Sequence, residues 1–536
     1  MSNKNKILFE NGQIITMNQA YPFAENILLE DSLITGVDVD PASLDGRVEK
    51  YDLQGKTIIP GLNDSHLHLI VTGMNLDMVD LKQVTSLKEL QQKTREYISR
   101  ENLAEGEWVM GWGWNEENFD NGEIINRKVL DEISHNNPMV LTRNCGHMSV
   151  LNSRAIDKCG ITSETEVRGG MIELDQQNVP TGVVAEKARR LIYENIPEYS
   201  LEEFKRIIAA QAERFRAAGL TMVQSDDFAI YPGSKEKVLQ AYFELVENNE
   251  LPVKVNLQLR LQTVEEIIDI FSKYPGRRYT DYFTLGPLKI FADGSLGAKT
   301  AALRETYAGS NDNYGIMFDS PEELEEKVDV ACRHDVQVAC HAIGDRSIEV
   351  ILNIYAKMKD RYGRINRPRI IHAQVTDLDL IKQMRDLGAV VDAQPPFVCS
   401  EWDYATEVLG KDRAYNIYAW KTMLDQGIVV AGGSDSPVES YNPFAGIKCA
   451  VTRQDSSLNP AGGWLPNEKL TRYEALKMYT INSAYSCFQE KQTGRLAPGY
   501  RADFLVLEQN PYKIPADDLD SMKVRASVIN GNIREY

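Results

Sequence analysis

Apolar and polar residues alternate with a period of two at both ends of this chain, a pattern that predicts β-strands. Segments 6–17 and 26–37 alternate around turns such as Asn11-Gly12. Near the other end, 502–507 is a short apolar run and 524–533 contains the hairpin signal Asn530-Gly531. Two separated pieces of the same character predict one small β-sandwich domain built from both termini. Residues 1–58 would form its first part and 491–536 its second.

Between them the pattern changes. Short apolar runs followed by stretches of helical periodicity predict parallel βα units. The candidate strands are 57–62, 221–225, 253–260, 285–292, 336–341, 369–372, 389–394 and 428–432, and helices are expected over 201–218, 321–333 and 347–361. Eight such units close into a (β/α)8 TIM barrel, expected within 59–490. One interval breaks the rhythm: roughly 155 residues separate the first candidate strand from the second, far more than a crossover needs. The stretch at about 108–197, with turns at Gly111, Gly113 and Gly169-Gly170, is expected to be a subdomain inserted after barrel strand one.

Composition narrows the function classes. Apolar residues make up 43% of the 536 and charged residues 26%, as in an average soluble globular protein. A formal charge of −19 repels phosphate backbones, so nucleic acid is not an expected partner. The apolar run after the basic start, residues 7–9, ends at Glu10 and is too short for a secretory signal, and no apolar window is long enough for a membrane span. Seven scattered cysteines without a CxxC pair suggest reduced thiols rather than a disulfide frame. The expectation is a cytoplasmic protein with a small-molecule substrate and no membrane partner.

Candidate chemistry sits where strands end. His66 and His68, two apart, reach the same side of an extended segment and can share one ion. His341 and His372 close two later strands, and Asp435 follows another within Gly432-Gly433-Ser434-Asp435-Ser436-Pro437. Lys289 lies inside the apolar stretch 286–292, and buried lysines are rare unless paired or chemically employed. Polar groups at the carboxyl ends of parallel strands converge on the catalytic face of a barrel.

These residues, together with Gly111-Trp112-Gly113-Trp114-Asn115, Gly146-His147, the stretch 291–297, His341-Ala342-Ile343-Gly344-Asp345-Arg346, His372-Ala373-Gln374 and the stretch 498–503, give the chain a specific likeness. It resembles the amidohydrolase superfamily, closest to the YtcJ-like amidohydrolase-3 branch, along nearly its whole length.

The resemblance implies a metal-dependent hydrolase of carbon–nitrogen bonds other than peptide bonds, with amide, N-acyl or N-formyl substrates. A deaminase or cyclic-amide hydrolase using the same site is the alternative. A binding protein that has lost activity is disfavoured, because His66, His68, Lys289, His341, His372 and Asp435 are all present. By resemblance, His66, His68 and Asp435 would hold the more buried divalent ion, and His341 and His372 a second. Zinc is the default, with one or two ions. Lys289 matches the position that relatives carboxylate as a bridging ligand; an unmodified lysine paired with a carboxylate beside a single ion is the other reading. Asp435 would act as general base and acid in the attack of a metal-activated hydroxide.

His147 is either a substrate-binding, catalytic histidine or a loop residue hydrogen-bonded locally. Trp112 and Trp114 either wall the pocket or pack a hinge, and Asp226-Asp227 reads as a helix cap or a support for the site, with substrate contact the alternative. His135 and His334 read as structural, and Asp293 as ordering the loop under the site. Ile371 stands where relatives commonly carry Glu, which removes a polar contact beside His372. Barrels of this kind often dimerise, so a homodimer is expected.

Overall fold

A computed structural model describes residues 6–44, 48–116, 119, 124–143, 148–167, 170–228, 234–275, 279–411 and 413–536. The chain divides into two compact units. One comprises Met1–Leu69, Ile208–Ile230 and Lys235–Tyr536; the other comprises Ile70–Ile207 and Tyr231–Ser234.

In the first unit eight parallel strands neighbour one another in sequence order: β1 (Leu62–Leu67), β2 (Leu220–Ser225), β3 (Lys254–Arg260), β4 (Phe283–Phe291), β5 (Val338–Ala342), β6 (Arg369–His372), β7 (Val390–Ala393) and β8 (Val429–Gly432). Helices between them complete the (β/α)8 barrel. The helix Pro321–Arg333 shows how local sequence sets such an element. Ser320 and Glu323 form a reciprocal capping box, Pro321 opens the first turn, and Leu324, Val328 and Ala331 recur at helical spacing on the buried face.

The last strand meets the first through the loop that follows it. The Asp435 amide donates to the His66 carbonyl and the His68 amide to the Ser436 carbonyl, both at 2.8 Å. Gly433 is required at this seam, because a Cβ there would stand 2.8 Å from the His66 nitrogen and 3.0 Å from Asp64 Oδ1.

The expected first barrel strand is corrected by one element. Thr57–Pro60 pairs instead with Gln13–Ile15 and Phe504–Leu507 in a sheet built from both ends of the chain. The run 57–62 is continuously apolar, so its pattern does not mark where the chain leaves one sheet for another. True β1 reads Leu-Asn-Asp-Ser-His-Leu, and all six residues are buried. Four of its six side chains are polar, among them Asp64, which accepts two backbone amides, so no apolar pattern announces it.

The terminal strands form a four-stranded and a six-stranded sheet that share one apolar core. Phe9 and Phe504, from opposite ends of the chain, meet edge to face with centroids 5.0 Å apart. Burying each such ring contributes about 1.5–3 kcal/mol. This sandwich adjoins the amino-terminal ends of the barrel strands. Lys254, the first residue of β3, is buried and bonded to Asp503 at 2.5 Å and to Asn530 at 2.9 Å.

The second unit holds a six-stranded sheet with strands Val79–Asp80, Val109–Trp114, Met139–Arg143, Met148–Leu151, Pro180–Glu186 and Gly170–Leu174 in spatial order from one edge. Its two apolar clusters make it a folded body in its own right. The stretch 108–197 lies within it.

The cysteine expectation is also corrected. Cys399 and Cys449 form a disulfide, while Cys159, Cys332, Cys340 and Cys487 are free among the described residues. A separation of 50 residues gave no sequence signal; the packing of helix Pro395–Leu409 against helix Pro443–Thr452 brings the two together. Among the described residues no helix is long and apolar enough to cross a membrane.

Candidate metal centre

The carboxyl ends of the barrel strands gather the predicted residues. His66 is the fifth residue of β1 and His68 follows the strand directly, which keeps both rings on the mouth side. The buried carboxylate of Asp64 accepts the His66 amide at 3.0 Å and the Ser434 amide at 3.2 Å, tying β1 to the loop after β8. Burial pushes Asp64 up to about 7. Asp435 sits in that loop with φ 56°, a left-handed backbone that turns its carboxylate back over β1. Its Oδ1 lies 3.1 Å from His68 Nε2 and 3.4 Å from His66 Nε2. The ligand atoms of His66, His68 and Asp435 all lie within 4.8 Å of one another.

Each ring is oriented by a backbone or amide oxygen behind it. His66 Nδ1 faces Gln258 Oε1 at 3.2 Å, and Gln258 is itself held with its amide nitrogen on the Ser65 and Gln224 carbonyls. His68 Nδ1 faces the Asp226 carbonyl at 2.8 Å, and His372 Nδ1 faces Gln394 Oε1 at 2.7 Å. A carbonyl oxygen only accepts, so each of these Nδ1 atoms carries the proton; His66 and His372 keep the lone pair on Nε2, whereas His68 Nε2 donates to the Asp435 carboxylate, a proton that a bound ion would replace. His341 is the reverse: its Nε2 donates to the Gly294 carbonyl at 3.0 Å, which leaves Nδ1 as the acceptor.

Electrostatics favour neutral rings at His66, His341 and His372 and a charged one at His68. Burial and the nearby Lys289 charge hold His66 well below its usual range and bring His341 down to about 3. His372 is depressed by burial and then by His341 and Lys289. For His68, burial works against the charged ring, but the hydrogen bond and charge of Asp435 outweigh it and raise the pKa.

His341 and His372 lie beside this group, with centroids 4.5 Å apart, and His372 is 5.7 Å from His66. Lys289 points from β4 into the middle. Its side chain is fully buried, and its Nζ lies 3.4 Å from His66 Nε2 and 4.0 Å from Asp226 Oδ2. Burial brings Lys289 down to about 8. The Asp226 carboxylate, shared with Arg260 at 2.6 and 3.1 Å, opposes that shift without cancelling it. Neutral imidazoles with aimed lone pairs and an adjacent carboxylate are the donor set a divalent ion requires, so these residues fit a metal.

Several supporting roles resolve here. Asp226 orients His68 through its carbonyl, and Asp227 accepts from Ser225 at 2.6 Å and Tyr242 at 2.8 Å. Asp293 accepts from the amides of Ala302, Ile343 and Gly344 and from the Ser347 hydroxyl at 2.7–3.0 Å, fastening the loop after β4 to the end of β5. Ile371 is buried, and Gln394 supplies the polar contact to His372. Trp114 packs in an apolar cluster of the second unit, and His135 and His334 are exposed. His147 lies outside the described residues. The sequence reading missed Gln258, Gln394 and Arg260. Gln258 carries the signal that singled out Lys289, a polar residue inside an apolar strand.

The sequence profile of the amidohydrolase family matches residues 49–534. The chain belongs to the amidohydrolase family. Like its family, it is a metal-dependent hydrolase acting on carbon–nitrogen bonds. YtcJ of Bacillus subtilis (strain 168), which bears an amidohydrolase name, is 34% identical over 98% of this chain and 99% of its own. An N-substituted formamide deformylase of Arthrobacter pascens is 26% identical over 100% of this chain and 99% of its own. Among solved structures, an uncharacterized metal-dependent hydrolase from Pyrococcus horikoshii OT3 superposes with a TM-score of 0.81 at 26% identity, covering 96% of this chain and 99% of that one.

Proposed function

We propose that this amidohydrolase cleaves the amide bond of small N-acyl or N-formyl compounds, with Asp435 moving the proton. The observation that carries the reading is the convergence of His66, His68 and Asp435, with ligand atoms within 4.8 Å of one another. The full-length likeness to a formamide deformylase supports the acyl class of substrate. His66, His68 and Asp435 would hold one divalent ion, zinc by the preference of imidazole donors, and His341 and His372 a second. A bound ion of this kind lowers the pKa of its water from 15.7 to about 7 and polarises a carbonyl oxygen.

The protein's own groups do the rest. The carboxylate of Asp435 takes the proton of the attacking water as the oxygen–carbon bond forms, then gives it to the leaving nitrogen as the carbon–nitrogen bond breaks. The products are an amine and a carboxylic acid, formate for a formyl substrate. Gln258, Gln394 and the Asp226 carbonyl hold three rings in the tautomer that presents Nε2. Lys289 is read as carboxylated. An ammonium among buried imidazoles, with its nearest carboxylate shared with Arg260, is poorly solvated, whereas a carbamate would supply anionic oxygens for divalent ions. His147 is read as a substrate-binding histidine, and loss of activity in His147→Ala with full metal content is the expected result.

The test is elemental analysis of protein purified without chelator, followed by a panel of N-formyl and N-acyl amines. Divalent metal and release of formate or acid are expected. A metal-loaded protein that releases ammonia, and no acid, would instead be a deaminase.

A further inference from the structure

Helix Pro395–Leu409 begins directly after β7, and its first turns reach the metal-ligating residues. Phe397 stacks on the His372 ring, 9° from parallel with centroids 6.0 Å apart. Glu401 stands four residues further along, on the same helix face and one turn away. Tyr418 donates its hydroxyl to Glu401, and Tyr404 adds a second hydroxyl bond. The Tyr418 amide is anchored on the Gln374 carbonyl at 2.9 Å, two residues past His372. The Tyr404 hydroxyl lies 3.3 Å from where a side chain at Gly297 would begin, in the loop after β4 whose Gly294 holds His341.

Glu401 is thus held, half-buried, by two tyrosines of the stretch after β7, and those tyrosines in turn touch the segments leaving β4 and β6, the strands that carry Lys289 and His372. It is close enough to Asp435 to feel its charge. Its two neighbours donate only from neutral hydroxyls, and among the described residues it has no lysine, arginine or histidine partner. Burial, with Asp435 adding to it, pushes the Glu401 carboxyl up, as expected of an acid lacking a counter-charge. A half-buried carboxylate with only neutral partners, one helical turn from the ring that stacks on His372, is relieved by a cation.

We propose that Glu401 is a substrate-binding residue that recognises a positively charged substituent, an ammonium or amidinium, on the compound being hydrolysed. This rests on the amide-hydrolase reading of the same site and narrows it to acyl or formyl derivatives of amines that keep a second, charged nitrogen. Tyr404 and Tyr418 fix the carboxylate, and Gly297 leaves room beside it. The net charge of −19 adds long-range attraction for such a substrate.

The test reads binding rather than turnover. N-methylsulfonyl-1,4-diaminobutane, which is not hydrolysed and ends in an ammonium, is compared with its neutral isostere N-methylsulfonylpentylamine. Calorimetry is run on the full chain with its metal. The cationic probe is expected to bind the natural protein about tenfold more tightly, and the difference is expected to vanish in Glu401→Gln with unchanged metal content and circular dichroism. Equal binding of the two probes to the natural protein overturns the proposal without any variant. So does no detectable binding of the cationic probe, or a preference that survives in Glu401→Gln. A preference for the cation, when no formamide or amide is hydrolysed, would sink the reaction reading and leave Glu401 its role. Hydrolysis without a preference would do the reverse.

Discussion

An aspartate held at φ 56° is an uncommon backbone state, and at Asp435 it turns a carboxylate onto two imidazoles. Replacing Asp435 with Asn preserves that shape but removes the base. Turnover is expected to fall by about 10²–10⁴-fold while metal content by elemental analysis persists. Unchanged turnover would take Asp435 out of proton transfer. Gln258→Leu removes the acceptor behind His66 and leaves a buried Nδ1–H unpaired. Metal affinity, measured by competition with a chelator, is expected to drop by about 10–100-fold. Lys289 supplies a pH prediction. Its ammonium pKa falls from 10.5 to about 8, so the free amine that the proposed carboxylation needs becomes the majority form as pH rises past 8. At fixed dissolved carbon dioxide, reconstitution of metal-free protein should speed up through that range and then level off, and Lys289→Met should abolish the dependence. That His66, His68, Lys289, His341, His372 and Asp435 gather at one end of the barrel was legible because imidazoles, a lysine and an aspartate in or after strands stand out against apolar runs. Gln258 and Gln394 escaped because an amide that only orients a ring has no spacing rule of its own.

At the scale of elements, what could be read depended on where polar groups were buried. The helix Pro321–Arg333 was expected to the residue, since its cap, proline and apolar stripe all lie in local sequence. β1 was misplaced, since its buried face is polar and the apolar stretch before it belongs to another sheet. The Cys399–Cys449 pair was invisible for a related reason: only tertiary packing brings the two helices together. The seam between β8 and β1 is the element most exposed to a small change. Gly433→Ala forces a Cβ to 2.8 Å from the His66 nitrogen. A loss of about 1–3 kcal/mol is expected from overpacking, read as a lower melting temperature, together with weaker metal retention because His66 and Asp435 move with the seam.

For the whole molecule, the sandwich binds the two ends of the chain into one core at the amino-terminal end of the barrel, away from the metal ligands. Removing residues 524–536 would strip two strands from the six-stranded sheet, uncover Val506 and Leu505, and take away the Asn530 contact of Lys254. Soluble yield should collapse, and centrifugation of expressed protein checks it; a soluble, metal-loaded truncation would mean that the barrel stands without the sandwich. The same sheet bears on how the protein is made. Tyr51 bonds Glu535 across 484 positions of sequence. At about 5–20 residues per second, a ribosome leaves the first strands waiting for their partners for roughly half a minute or longer. Throughout that time the edge of Thr57–Pro60 that pairs with Phe504–Leu507 in the finished fold presents unpaired backbone and apolar side chains to whatever surrounds the nascent chain. The yield of active enzyme is thus set partly by translation speed and chaperone supply, a kinetic cost of closing the fold with its own two ends.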